Sequence, residues 1–168
     1  MVMIRRNKAL YILGLIAVLA GCDQPELVVP TDSQVSERFS ATDGVSVRMS
    51  GNVAEVTVLQ PYSQVQRGGN LWAKVGPYIY LFSDEVHTLL IDFSGLAGVR
   101  VITTTSTQGE IARAFIARDA LTDVLWRRGK NIAGHARRDG TTRPSLLEDL
   151  VDWGEDRTEF SYSARFIR

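Results

Sequence analysis

The chain has 168 residues, 45% of them hydrophobic, with 19 basic against 19 acidic side chains. Balanced charge excludes the electrostatic footprint of a general nucleic-acid binder, and a single cysteine excludes an internal disulfide framework. The length suffices for one domain standing on its own hydrophobic core.

The chain opens with basic Arg5, Arg6 and Lys8, then an apolar run from Ala9 to Val18 interrupted only by Tyr11 and Gly14. That run falls short of the roughly 20 residues a bilayer span needs, but it has the length of a signal-peptide core. Leu19, the small residues Ala20 and Gly21, and the sole cysteine, Cys22, follow. This stretch resembles a bacterial lipoprotein precursor, with Leu19-Ala20-Gly21-Cys22 matching the lipobox. The resemblance implies a signal peptide over residues 1–21, a diacylglyceryl thioether on Cys22, cleavage before it, and acylation of the new α-amino group. A thiol is required because sulfur is the nucleophile that takes the lipid, and small flanking residues let the chain lie extended in a narrow cleft. Each buried methylene contributes about 0.8 kcal/mol, so two or more chains anchor stably where one is marginal.

The competing reading, a buried cysteine beside an uncleaved apolar segment, fits poorly with the polar Asp23-Gln24-Pro25 that follows. Asn7-Lys8-Ala9 after Arg5-Arg6 departs from a twin-arginine signal, which leaves general secretion. An aspartate after the lipidated cysteine goes with inner-membrane retention in enterobacterial lipoproteins. The expected location is thus the cell membrane or outer membrane, facing the periplasm or the exterior. Loss of the signal leaves 16 basic against 19 acidic side chains. The lipid on Cys22 is the only bound group expected, with no other cofactor.

Residues 22–44 are polar and punctuated by Pro25, Pro30, Ser33, Ser36, Ser40 and Gly44, and they are read as a lipidated N-terminus and flexible tether reaching about 25 Å. Val45 to Met49 and Val53 to Gln60 alternate around Ser50-Gly51-Asn52, which predicts a hairpin closed by Pro61. In residues 62–82, Gly68-Gly69 and Gly76-Pro77 interrupt the pattern, and Tyr78 to Phe82 suits either a buried strand or a helix. Ser83 before Asp84-Glu85 is a helix start, and Val86, Leu89, Leu90 and Phe93 give it one apolar face, with Gly95 as the stop. Val99 to Thr105 is rich in β-branched residues and predicts a strand. Glu110 to Arg118 returns as its partner, although Ile111 and Phe115 also suit a helix. Asp119 is expected to cap a helix striped by Leu121, Leu125, Arg128 and Ile132, and Pro144-Ser145 to open a last helix with Leu146, Leu147, Leu150, Val151 and Trp153 on its apolar face. Phe160 to Phe166 alternates as an edge strand or docked tail. The rhythm predicts a single domain over 45–168 of α+β class, antiparallel β-hairpins with helices packed on one face as a two-layer sandwich.

No residue pattern demands a reaction. His87 and His135 lack metal-ligand spacing, a nucleophile elbow is missing, and Asp84-Glu85 and Glu148-Asp149 are explained by helix first turns. No catalytic or metal-binding residue is expected. An aromatic group, Trp72, Tyr78 and Tyr80, is a candidate lining for a ligand pocket or partner surface, with core packing as the plainer use.

Charge is distributed unevenly. Residues 127–143 carry Arg127, Arg128, Lys130, Arg137, Arg138 and Arg143 against Asp139; residues 144–159 carry Glu148, Asp149, Asp152, Glu155, Asp156 and Glu159 against Arg157. Either the two blocks fold together and neutralise each other in weak solvated pairs, or Arg127, Arg128, Lys130, Arg137 and Arg138 meet anionic headgroups or an acidic partner, each adding about 1 kcal/mol near a membrane. The expected function is that of a lipid-anchored envelope protein acting as a binding or structural accessory of an envelope complex, held to the membrane by its lipid and to a protein partner by its domain. The alternative is an envelope enzyme or solute-binding lipoprotein with an aromatic-lined pocket.

Overall fold

A computed structural model describes residues 27–107 and 109–166, apart from the side chains of Arg67 and Gly68. The signal segment, the lipobox and Cys22 lie outside the described residues. The elements run α1 (Asp32–Arg38), β1 (Val45–Ser50), β2 (Val53–Leu59), α2 (Tyr62–Leu81), α3 (Asp84–Asp92), β3 (Gly98–Thr105), β4 (Gly109–Ala117), α4 (Asp123–Asp139), α5 (Ser145–Glu155), β5 (Glu159–Tyr162) and a 3-10 turn at Ala164–Phe166. The α+β class follows directly from this order.

The described strands form one sheet in the order β1-β2-β3-β4-β5. Both predicted hairpins are present: Val47 pairs with Val56, and Val101 with Ala114. The sheet is mixed rather than wholly antiparallel, because β2 and β3 run parallel, with Val56 beside Val101. Parallel neighbours need a long crossover, and the chain between them supplies it as α2 and α3. Strand alternation sorts the sheet into two faces. Ala54, Val56, Val58, Val99, Val101, Ala112, Ala114 and Ile116 are buried under the helices. Arg48, Glu55, Arg100 and Phe115 form a row across the opposite face.

Residues 62–81 form two helical segments in one run, which settles Tyr78 to Leu81 as helix. A kink at Gly69, with φ 58° and ψ −144°, divides the run. The predicted α3 is present: the Ser83 hydroxyl accepts from the Val86 amide, and Val86, Leu89 and Leu90 are buried. Its end is held by Arg118, whose guanidinium donates to the carbonyls of Leu90, Phe93 and Leu96. A cation against the last carbonyls of a helix offsets the negative end of its dipole.

Two expectations are corrected. The tether expected to run to residue 44 contains α1, capped reciprocally by Thr31 and Gln34. Val35 and Phe39, one turn apart, are buried in the main core; two apolar residues in a polar stretch sufficed once the capping box fixed the helix. Helix α4 starts after Thr122, not Asp119, so Leu121, although buried in the core, precedes it; its buried face is Trp126, Gly129, Ala133 and Ala136 rather than Leu125, Arg128 and Ile132. Small residues hold that face because α4 lies close to its neighbours: a β-carbon on Gly129 would stand 3.2 Å from the Phe82 ring. Among the described residues no helix is long and apolar enough to cross a membrane.

Candidate functional site

Helices α4 and α5 pack against each other and against α2. The turn between them, residues 140–144, brings the basic and acidic blocks of the sequence face to face. They form the two sides of an open groove of about 840 Å³, with Arg127, Arg128 and Asn131 on one side and Asp149, Asp152 and Asp156 on the other. Val124 and Ile132 supply its apolar patches, and Trp153 and Arg157 complete the lining.

Trp153 is the organising residue. It is 5% exposed, on the buried face of α5. The Arg157 guanidinium lies 3.7 Å from the indole centroid and that of Arg128 lies 4.9 Å away. A cation over an indole contributes about 0.5–1 kcal/mol when exposed and more when desolvated. Arg157 is held further by a hydrogen bond to the Trp153 carbonyl at 3.1 Å and by Asp156 at 3.4 Å. The indole N–H has no hydrogen-bond partner among the described residues and backs onto Gly129, where a β-carbon would stand 2.9 Å away. It therefore fixes the floor of the groove rather than opening into it.

The structure divides the predicted basic cluster. Arg127 and Arg128 line the groove. Lys130 turns to α3 and pairs with Asp84 at 2.7 Å. Arg137 donates to the Ile79 carbonyl at 2.7 Å, and Arg138 lies 3.0 Å from Nδ1 of His135. Glu155 on the acidic side pairs with Lys74 of α2 at 2.9 Å, a contact that raises the lysine's pKa above its ordinary value.

The predicted aromatic group does not converge. Positions 72, 78 and 80 advance by about 100° per residue around one helix, and Tyr78 turns away from the other two. Tyr78 is fully buried, with its ring 6.0 Å from Phe82 and 5.1 Å from Phe160. Burial raises its hydroxyl pKa above the usual value, and Thr158 donates to it at 3.4 Å. Trp72 and Tyr80 are half-buried flanks of the same core.

His87 is structural in its surroundings. Its ring stacks on Trp126 at 4.8 Å, and its Nδ1 lies 3.4 Å from the Lys130 ammonium. Burial first, and the Lys130 charge second, hold its pKa below the ordinary value. Among the described residues no three His, Cys, Asp or Glu side chains gather as metal ligands would.

The sequence pattern missed Arg157 and the role of Trp153, which it assigned only to an apolar helix face. The signal was present as a tryptophan followed four residues later by an arginine at the helix end. Comparison with protein-family models, with curated proteins and with solved structures gives no match.

Proposed function

We propose that this chain is a lipid-anchored protein of the bacterial envelope that acts by binding a polypeptide partner in the α4–α5 groove, as a structural accessory of an envelope complex. The groove carries the reading. Arginine is among the residue types that dominate binding hot spots, and here the guanidiniums of Arg128 and Arg157 are seated on a buried tryptophan floor between walls of opposite charge. A surface with both signs suits a polypeptide that presents both. A bilayer of anionic headgroups, by contrast, would bring Asp149, Asp152 and Asp156 against like charge. The pocket reading loses its centre, because Tyr78 belongs to the core.

The test is site-specific photocrosslinking in the native host. A photoreactive amino acid in place of Val124, which is 63% exposed at the groove, is expected to give a discrete adduct with an envelope protein. The same probe in place of Ser46, on the opposite sheet face, is expected to give none. Arg127→Glu should abolish the adduct. An adduct insensitive to Arg127→Glu, or none at Val124, overturns the groove as the binding site. Intact mass of the purified native protein tests the anchor independently: an unprocessed or unacylated chain removes it.

A further inference from the structure

The anchor's position in the sequence and the way the chain enters the fold together restrict how the domain meets the membrane. Only residues 23–26 separate Cys22 from Leu27, where the described chain begins. Five residue steps extend at most about 18 Å, so no long leash exists between the lipid and the fold.

From Leu27 the chain is already docked. The Val28 amide donates to the Ser94 hydroxyl at 3.1 Å, and the Val28 carbonyl accepts from the Gly95 amide at 2.8 Å. Pro30 is buried. Gly95 makes this approach possible, since a β-carbon there would stand 2.9 Å from the Val28 carbonyl. Yet much of the apolar surface of this docked segment faces outward: Leu27 is 69% exposed and Val28 50%, while Val29, 45% exposed, lays one methyl against Gly95.

Beside Leu27 lies a shallow hollow at the end of the sheet where β3 starts and β4 finishes. Exposed Ala97, Ala117 and Ala120 contribute to it. The Arg118 side chain in its lining is committed to the carbonyls at the end of α3, which leaves exposed Asp119 as the carboxylate there. Leu27 in the lining, exposed Val28 next to it in the chain, and small uncharged side chains around them, all within reach of an acyl anchor, match an interfacial contact with lipid.

We infer that this end of the domain, Leu27 to Val29 together with Ala97, Ala117 and Ala120, rests on the bilayer that holds the Cys22 lipid. The domain then has a fixed orientation instead of swinging on a 23-residue tether. The inference rests on the anchored reading above. It places the turn at Ser106-Thr107, at the far end of β3, about 25 Å further from the membrane, as an eight-residue strand requires.

The experiment uses the full-length acylated protein in phosphatidylcholine vesicles. Acylated Cys22 has no free thiol, so a bimane fluorophore attaches only at an introduced cysteine: Leu27→Cys, Ala97→Cys or Thr107→Cys. A lipid-borne nitroxide should quench the probes at 27 and 97 at least twofold more strongly than the probe at 107, and aqueous iodide should show the reverse order. Equal quenching at all three positions on a chain shown by mass to be acylated overturns the orientation and leaves the anchor standing. A probe at 27 shielded from iodide but untouched by the nitroxide places that end against protein, which also overturns it. An unacylated chain removes the anchor and this inference with it.

Discussion

The Tyr78 ring packs directly on Gly154: a β-carbon at position 154 would stand 2.6 Å from the ring's Cζ. Tyr78 is fully buried between Phe82 and Phe160 and has nowhere to retreat. Two effects oppose each other in Gly154→Ala. The helix gains up to about 1 kcal/mol from the better helix former, while overpacking a filled core costs about 1–3 kcal/mol. The expected net loss is about 1–2 kcal/mol, seen as a lower urea midpoint. Gly134 in α4 is the control, because a β-carbon there meets nothing within 4 Å. Gly134→Ala should raise stability by up to about 1 kcal/mol.

Arg118 joins the end of β4 to the end of α3. Arg118→Met keeps most of the aliphatic stem and removes the guanidinium that three carbonyls share. A charge-assisted hydrogen bond contributes about 1.5–3 kcal/mol, and the three act as one cap. The expected loss is about 2–3 kcal/mol, with hydrogen exchange in α3 accelerated more than in α5.

On the uncovered sheet face, Glu55 is bracketed by Arg48 and by Arg100, the latter at 2.7 Å. Burial acts to raise the carboxyl's pKa, but the hydrogen bonds and charges of the two arginines outweigh it and hold the value below the ordinary 4.5. The stabilisation is therefore complete above about pH 4.5 and is lost as pH falls through the lower folded value. Glu55→Gln should flatten this acid-side decline in urea midpoint while lowering the midpoint at neutral pH. An unchanged pH profile would show that the row is decorative.

His87 gives a second, higher window. Its neighbours are Lys130, Asp84 and Asp123, and its folded pKa lies below the ordinary 6.5. A neutral imidazole is thus favoured by the fold, so stability is greatest above pH 6.5 and falls as the medium is acidified towards the folded value. His87→Phe keeps a ring against Trp126 and removes the titration. The urea midpoint of that variant should change less between pH 7.5 and pH 5 than that of the parent.

Much of the secondary structure was legible because local chemistry and tertiary packing agree. The hairpins had alternating strands about short turns, and α3 had a hydroxyl cap ahead of a clean apolar stripe. Where the two levels diverged, the pattern misled. In α4 the larger apolar residues Leu125 and Ile132 are only half-buried, while Gly129, Ala133 and Ala136 turn inward; a stripe of small residues carries little hydropathy but permits close packing. In α1, seven residues with one buried valine left too short a period to read. The parallel β2–β3 pairing was hidden for another reason, since strand direction depends on where a crossover returns and leaves no mark on the strands. The charge blocks were plain in the sequence, but their opposition across a groove needed the antiparallel turn of α4 into α5, and Trp153 under Arg157 needed the helix end.

The parallel pairing of β2 with β3 also sets how the sheet assembles. Each hairpin is built from neighbours in the chain, whereas the seam between them closes only when 38 intervening residues, 60–97, have looped back. Closure entropy of that kind must be met before its contacts are rewarded, so the seam, and not the turns, governs the rate at which the molecule zips shut. Until then the inner edges of β2 and β3 stand open as unpaired templates, and it is their pairing with each other, once α2 and α3 have carried the chain back, that keeps one copy from stitching onto another.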